Sequence, residues 1–90
     1  MKLVFLDMKE IREKEALHLK LQEKLTLPDY YGKNLDALHD VLTEGKPAVF
    51  LVFENCSRAD DGMQSYLEQV KTLCGDIADS NPLFLYKFFP

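Results

Sequence analysis

Glycine and proline are scarce, four of each in 90 residues, and no stretch is repeated or dominated by a few residue types. That scarcity excludes collagen-like and low-complexity chains, and a composition of 47% hydrophobic and 29% charged residues excludes disorder. Cysteine is nearly missing. Cys56 and Cys74 form neither a CxxC motif nor a metal-ligand spacing, and two reduced thiols are expected. Basic residues are outnumbered, 11 lysines and arginines against 15 aspartates and glutamates. The net charge of −4 disfavours a nucleic-acid-binding face and suits a basic protein partner. Long apolar runs are absent too. Nothing approaches the ~20 residues that span a bilayer, and Leu3–Leu6 is shorter than the ~7–15-residue core of a secretory signal. The expectation is one cytoplasmic domain over residues 1–90, with no cofactor, no metal and no membrane contact.

What is present alternates between two hydrophobic periods. Lys2–Leu6 is a short apolar run that reads as a buried strand. Leu17, Leu21 and Leu25 recur every fourth residue among lysines and glutamates, which predicts an amphipathic helix over about Lys14–Leu25. Pro28 ends it, and a loop with Tyr30, Tyr31 and Gly32 follows. Asn34 caps a second helix, about Leu35–Glu44, stopped by Gly45 and Pro47. Ala48–Phe53 is continuously apolar and reads as a central strand buried on both faces. A polar stretch leads to a third helix, about Met63–Ile77, whose apolar set is Tyr66, Leu67, Val70, Leu73, Cys74 and Ile77. Asp79–Pro82 breaks it, and Leu83–Phe89 is the last strand. Strands separated by helices require crossovers, so the expected fold is α/β: a three-stranded parallel sheet flanked by helices.

The acidity is local. Between Asp29 and Glu44, four carboxylates against Lys33 leave −3 of the chain's −4. On the second helix Leu35, Leu38, Val41 and Leu42 form an apolar arc, and Asp36, Asp40 and Glu44 follow one another at i, i+4 nearly opposite. Like charges at that spacing each cost a few tenths of a kcal/mol, so the row is not a stability device. A solvated face is the plain alternative. Tyr30 and Tyr31 beside it offer large, polar-tipped rings of the kind found at interface centres, although at least one is expected in the core. Gly32 is expected to supply a turn conformation that other residues avoid.

Leu27-Pro28-Asp29-Tyr30-Tyr31-Gly32-Lys33-Asn34-Leu35-Asp36-Ala37-Leu38-His39-Asp40 resembles the signature of the barstar-like ribonuclease inhibitors, nearly unbroken over fourteen residues. The resemblance implies a three-stranded parallel sheet flanked by helices. It also implies that the tyrosine loop and the following helix enter the active-site cleft of a secreted, barnase-like ribonuclease. Asp40 would occupy the nuclease's phosphate site, with Tyr30, Tyr31, Gly32, Asn34, Leu35, Asp36, Ala37 and Thr43 lining the same surface. Two positions depart from a known family sequence: His39 stands at a tryptophan and Glu44 at a glycine. A third-helix glutamate of the family lacks a secure match: Thr72 is one candidate alignment, and Asp76 is a nearby acid that could serve.

Two other classes fit parts of the same pattern. A barstar-like acidic adaptor would use the same face on a basic partner that is not a nuclease. An enzyme or phosphocarrier would use His18 or His39. No glycine-rich phosphate loop, HExxH or nucleophile motif accompanies either histidine, so no catalysis is expected. His18, on a mostly apolar helix, reads as a partly buried packing residue.

Overall fold

The computed structural model describes residues 1–90. Six elements follow in the expected order: β1 (Lys2–Asp7), α1 (Lys14–Leu25), α2 (Leu35–Thr43), β2 (Val49–Glu54), α3 (Asp61–Ser80) and β3 (Phe84–Phe88). A single 3-10 turn, Cys56–Arg58, precedes α3. The strands are parallel, in the order β1-β2-β3. Both crossovers therefore step the same way across the sheet. Right-handed connections then stack every helix on one face, giving two layers.

The pleat sorts the side chains. Val4, Leu6, Val49, Leu51, Phe53 and Phe84 are buried toward the helices. They meet Leu17 and Leu21 of α1, Leu38 and Leu42 of α2, and Met63, Leu67, Val70, Cys74 and Ile77 of α3 in one core. β1 corrects the sequence reading, because it is buried on one side only. Its alternate residues Leu3 and Phe5 are 55% and 48% exposed, and the register sets them beside Phe50 and Val52 on the face without helices. An apolar run of four residues cannot distinguish one-sided from two-sided burial. β2 is the central strand, and Val52 is buried there between its register partners Phe5 and Lys87.

The helix ends matter for the site. Asp60 starts α3 by accepting the Gly62 N–H at 3.2 Å, two residues before the apolar pattern begins. Asn81, which the sequence suggests only as part of a helix breaker, is fully buried. Its side-chain amide donates to the carbonyls of Leu42 (2.8 Å) and Pro47 (2.9 Å), and its oxygen accepts the Leu83 N–H (2.9 Å). One side chain thus joins the last turn of α2, the end of α3 and the entry to β3. Both thiols are buried and free, and burial pushes that of Cys74 up to about 12. No helix is long and apolar enough to cross a membrane.

Asn81→Ala removes the partner of three backbone groups at once, the buried Leu42 carbonyl and the part-buried Pro47 carbonyl and Leu83 N–H. Urea denaturation is expected to show a loss of about 2–4 kcal/mol. The neighbouring exposed substitution Asp79→Ala is expected to stay within about 0.5 kcal/mol.

Candidate functional site

Residues 26–34 carry the chain from the end of α1 back to the start of α2, and α1 holds them along the way. The Leu27 N–H donates to the Gln22 carbonyl (2.9 Å), the Gln22 side-chain amide donates to the Pro28 carbonyl (2.9 Å), and the Tyr31 N–H donates to that same carbonyl (3.0 Å). The two tyrosines then part. Tyr30 is 88% exposed, whereas Tyr31 is 5% exposed and turned inward.

The Tyr31 hydroxyl lies 2.6 Å from His18 Nδ1, and His18 Nε2 lies 2.6 Å from the Tyr66 hydroxyl on α3. His18 is completely buried, beyond the partial burial its sequence context suggests. A neutral imidazole has one N–H and one bare nitrogen, so one tyrosine accepts from the ring while the other donates to it. Burial holds the imidazole below its ordinary pKa and raises those of both phenols, because each charged form would be cut off from water.

Gly32 departs from expectation. The left-handed backbone in this turn belongs to Lys33 (φ 52°), not to the glycine. Gly32 instead sits in a tight place: a Cβ there would stand 3.2 Å from the Ala37 Cβ and 3.2 Å from Asn34 Nδ2, so those neighbours would have to give way by a few tenths of an ångström. Asn34 behaves as expected. Its Oδ1 accepts the Ala37 N–H at 2.8 Å, capping α2, and its Nδ2 donates to the Gly32 carbonyl at 3.1 Å.

Along α2 the core face is Leu38 and Leu42, with Leu35, Ala37 and Val41 half-buried. Asp36 and Asp40 lie on the exposed side, and the Asp40 side chain is 67% exposed. The helix ends at Thr43, one residue earlier than expected. Glu44 keeps a helical φ of −67° and donates its N–H to the Asp40 carbonyl at 2.9 Å, so its exposed side chain still leaves one turn beyond Asp40. Its ψ of 131° then turns the chain away. The Thr43 hydroxyl donates to the His39 carbonyl at 2.7 Å. His39 Nδ1 lies 3.8 Å from Asp40 Oδ1. Asp76 is exposed on α3, the helix packed beside α2.

Tyr30, Asn34, Asp36, Asp40 and Glu44 are therefore all exposed, on a pinned loop and a capped helix, with Gly32 in the turn between them. Tyr31 supports the loop from beneath. His18 and Tyr66 were expected to pack, but the hydrogen bonds that link them to Tyr31, and the tethering role of Asn81, were not foreseen. The local signal of His18 and Tyr66 was a polar tip among apolar neighbours, whereas Asn81 stands in a polar helix breaker and had none. No cluster of three His, Cys, Asp or Glu side chains is positioned to hold a metal ion. What these residues offer is an exposed row of carboxylates and an exposed aromatic ring, with Lys14 and Lys33 lining a pocket with Asn34 and Asp36 at the start of the row.

A two-layer α/β domain presenting a rigid acidic helix is thus the class that fold and site define. The barstar family, described as "Barstar (barnase inhibitor)", matches residues 1–86. A Bacillus subtilis (strain 168) protein named "Putative ribonuclease inhibitor YrdF" is 38% identical over 71 residues, which span 78% of each chain. The chain belongs to the barstar family.

The divided tyrosine pair has a direct consequence for stability. Tyr31→Ala empties a core site and is expected to lower the unfolding free energy by about 3–5 kcal/mol. Tyr30→Ala is expected to change it by no more than about 0.5 kcal/mol. Denaturant unfolding of the two variants checks both.

Proposed function

We propose that this chain is an intracellular inhibitor of a secreted, basic ribonuclease, and that loop 30–34 and α2 plug the nuclease's active-site cleft. The observation that carries this reading is the exposed row of Asp36, Asp40 and Glu44 on α2, opposite a face fixed in the core and preceded in the chain by the exposed Tyr30 ring. A nuclease cleft must be cationic to hold phosphates. A carboxylate on a rigid helix can take the place of a phosphate there and accept charge-assisted hydrogen bonds from arginine or histidine. Family membership and the printed name of the B. subtilis relative support the same partner class.

The roles follow from position. Asp40, in the middle of the row, is the substrate mimic. Tyr30 is the aromatic anchor, since its ring is free to be buried on docking. The Gln22 and His18 tethers and the Asn34 cap hold the loop in place before contact, which reduces the ordering cost of association. The remaining carboxylates steer a basic partner; the barnase–barstar pair is itself a standing example of such steering. Lys33, at the left-handed turn, is the one cation between Asp29 and Glu44, and with Lys14 it lines a pocket that also includes Asp36.

Barnase is the nuclease to try first. Asp40→Ala is expected to raise the dissociation constant at least a hundredfold, mainly through faster dissociation, because it would leave buried cations unpaired at ~2–5 kcal/mol. Glu44→Ala, at the helix end, is expected to change it tenfold or less, as rim charges are worth ~1 kcal/mol. Equal losses from the two substitutions would mean diffuse attraction rather than a plug. Association measured by stopped flow is expected to slow steeply between ~20 mM and ~500 mM salt. Capture of a basic partner by this face with RNA cleavage unaffected would select the adaptor reading.

A further inference from the structure

One side of the sheet carries no helix, yet its side chains are apolar where a solvated face would be polar. The register sets Leu3, Phe50 and Leu85 in one row across the three strands, and Phe5 and Val52 in the next. The alternation runs back to Leu83, whose carbonyl accepts the Val49 N–H at 3.3 Å. Leu3, Phe5, Leu83 and Leu85 are 55%, 48%, 50% and 46% exposed. We propose that this face is a contact between two copies of the chain, which pack sheet to sheet as a weak twofold dimer with their strands antiparallel. The proposal does not rest on the ribonuclease reading.

A sheet buries an apolar face by packing it on another layer. Area sets how strongly. Three strands ~4.8 Å apart and three rows ~6.7 Å apart cover roughly 300 Å² in projection and about 400–500 Å² of pleated surface. That is as large as the largest apolar patches of ordinary monomers. Two such patches in contact remove about 800–1,000 Å² from water, the low end for a specific interface. The dimer is therefore concentration-dependent, with a dissociation constant on the order of 100 µM.

The charges select a second copy and its orientation. On this side of the strands they come only toward the carboxyl ends, at Asp7, Glu54 and Lys87. Lys20 and Lys24 of α1 stand at the β1 edge beside Phe5, where Lys24 Nζ donates to the Phe5 carbonyl at 3.0 Å. The middle of the patch carries no charge, so it can meet its own copy without burying one. A twofold axis running along the strands would lay Glu54 over Glu54. An axis running across them at Phe50 turns the second copy end for end. Leu3, Phe50 and Leu85 then each meet their own counterparts, as an isologous contact requires. Asp7 and Glu54 of each copy project past the other's edge into water. Lys87, on an edge strand with its Nζ 5.8 Å from the Phe89 ring centre, carries its charge out at the corner. Sheets packed in this way lie about 10 Å apart with their strands nearly aligned. The helices form the opposite layer, so α2 and its carboxylates stay free on both copies.

Sedimentation velocity on the full chain from ~10 µM to ~1 mM tests this. The average mass is expected to climb from monomer toward dimer, half-associated on the order of 100 µM. Leu85→Glu and Leu85→Lys each set like charges against each other across the axis and are expected to weaken association at least ~10-fold. An equimolar mixture of the two is expected to restore it, whereas Leu85→Lys mixed with Leu3→Glu is not, because β1 does not face β3. The same pair of charges at Leu3 repeats the test on β1, and melts at ~10 µM check that each variant is folded. Dilution of the ¹⁵N-labelled wild type gives a readout without substitution: amide shifts are expected to move at Phe50 and Leu85 and to stay fixed at Asp40. A chain that is monomeric at ~1 mM overturns the proposal and leaves the face to a partner of another kind. A dimer that Leu85→Glu leaves intact, or shifts centred on α2, places the contact elsewhere and overturns it too. Restoration by the Leu3→Glu mixture instead of the Leu85 pair overturns the antiparallel arrangement.

Discussion

A buried imidazole has two nitrogens to satisfy, and His18 satisfies both with tyrosine hydroxyls 13 and 48 residues away in the chain. That requirement fixes where the loop between α1 and α2 lies. Tyr31 must point inward to reach the ring, so Tyr30 points outward and Gly32 is drawn close against Ala37. The turn then delivers Asn34 to the first turn of α2 as its cap. At the other end, Asn81 accounts for the Leu42 carbonyl and ties α2 to α3 and β3. A helix of only nine residues is thereby held from both ends by polar side chains with every bond made. The direction of its acidic row is a consequence of these two anchors.

Isolated helices of this length are marginal, and aligned like charges work against them. Leu38 and Leu42 in the core, with the two anchors, outweigh a repulsion of a few tenths of a kcal/mol per charge pair. The row persists at a cost in stability, which suits a surface held in readiness for an opposite charge better than one tuned for the free protein. The same logic applies to the tethered loop. Ordering it before contact raises the complexity of the free fold and lowers what association must later supply.

The element order was legible in the sequence because each element carries its own period, cap or breaker. Asn34 is the plainest case, a cap whose predicted role and geometry agree. The acidic row was legible because a spacing of four on a helix has only one geometry. What was not legible involves choices that local patterns leave open. An apolar run such as Leu3–Leu6 does not say that one of its faces is bare. Tyr30 and Tyr31 are adjacent residues that point opposite ways, and only the distant His18 decides which is inside. Gly32 suggested a left-handed turn, but the crowding at Ala37 claims the glycine and Lys33 takes the positive φ. Asn81 looked like turn chemistry because its partners, Leu42 and Pro47, are 39 and 34 residues earlier.

The central claim is that the acidic helix occupies the site where a nuclease holds phosphate. The most direct measurement is competition: the affinity of the chain for barnase titrated against increasing concentrations of a mononucleotide that fills the nuclease's phosphate site. The apparent dissociation constant is predicted to rise in proportion to nucleotide once that site is saturated, because the two ligands exclude each other. An affinity unchanged by saturating nucleotide would mean that the helix docks elsewhere and would contradict the plug.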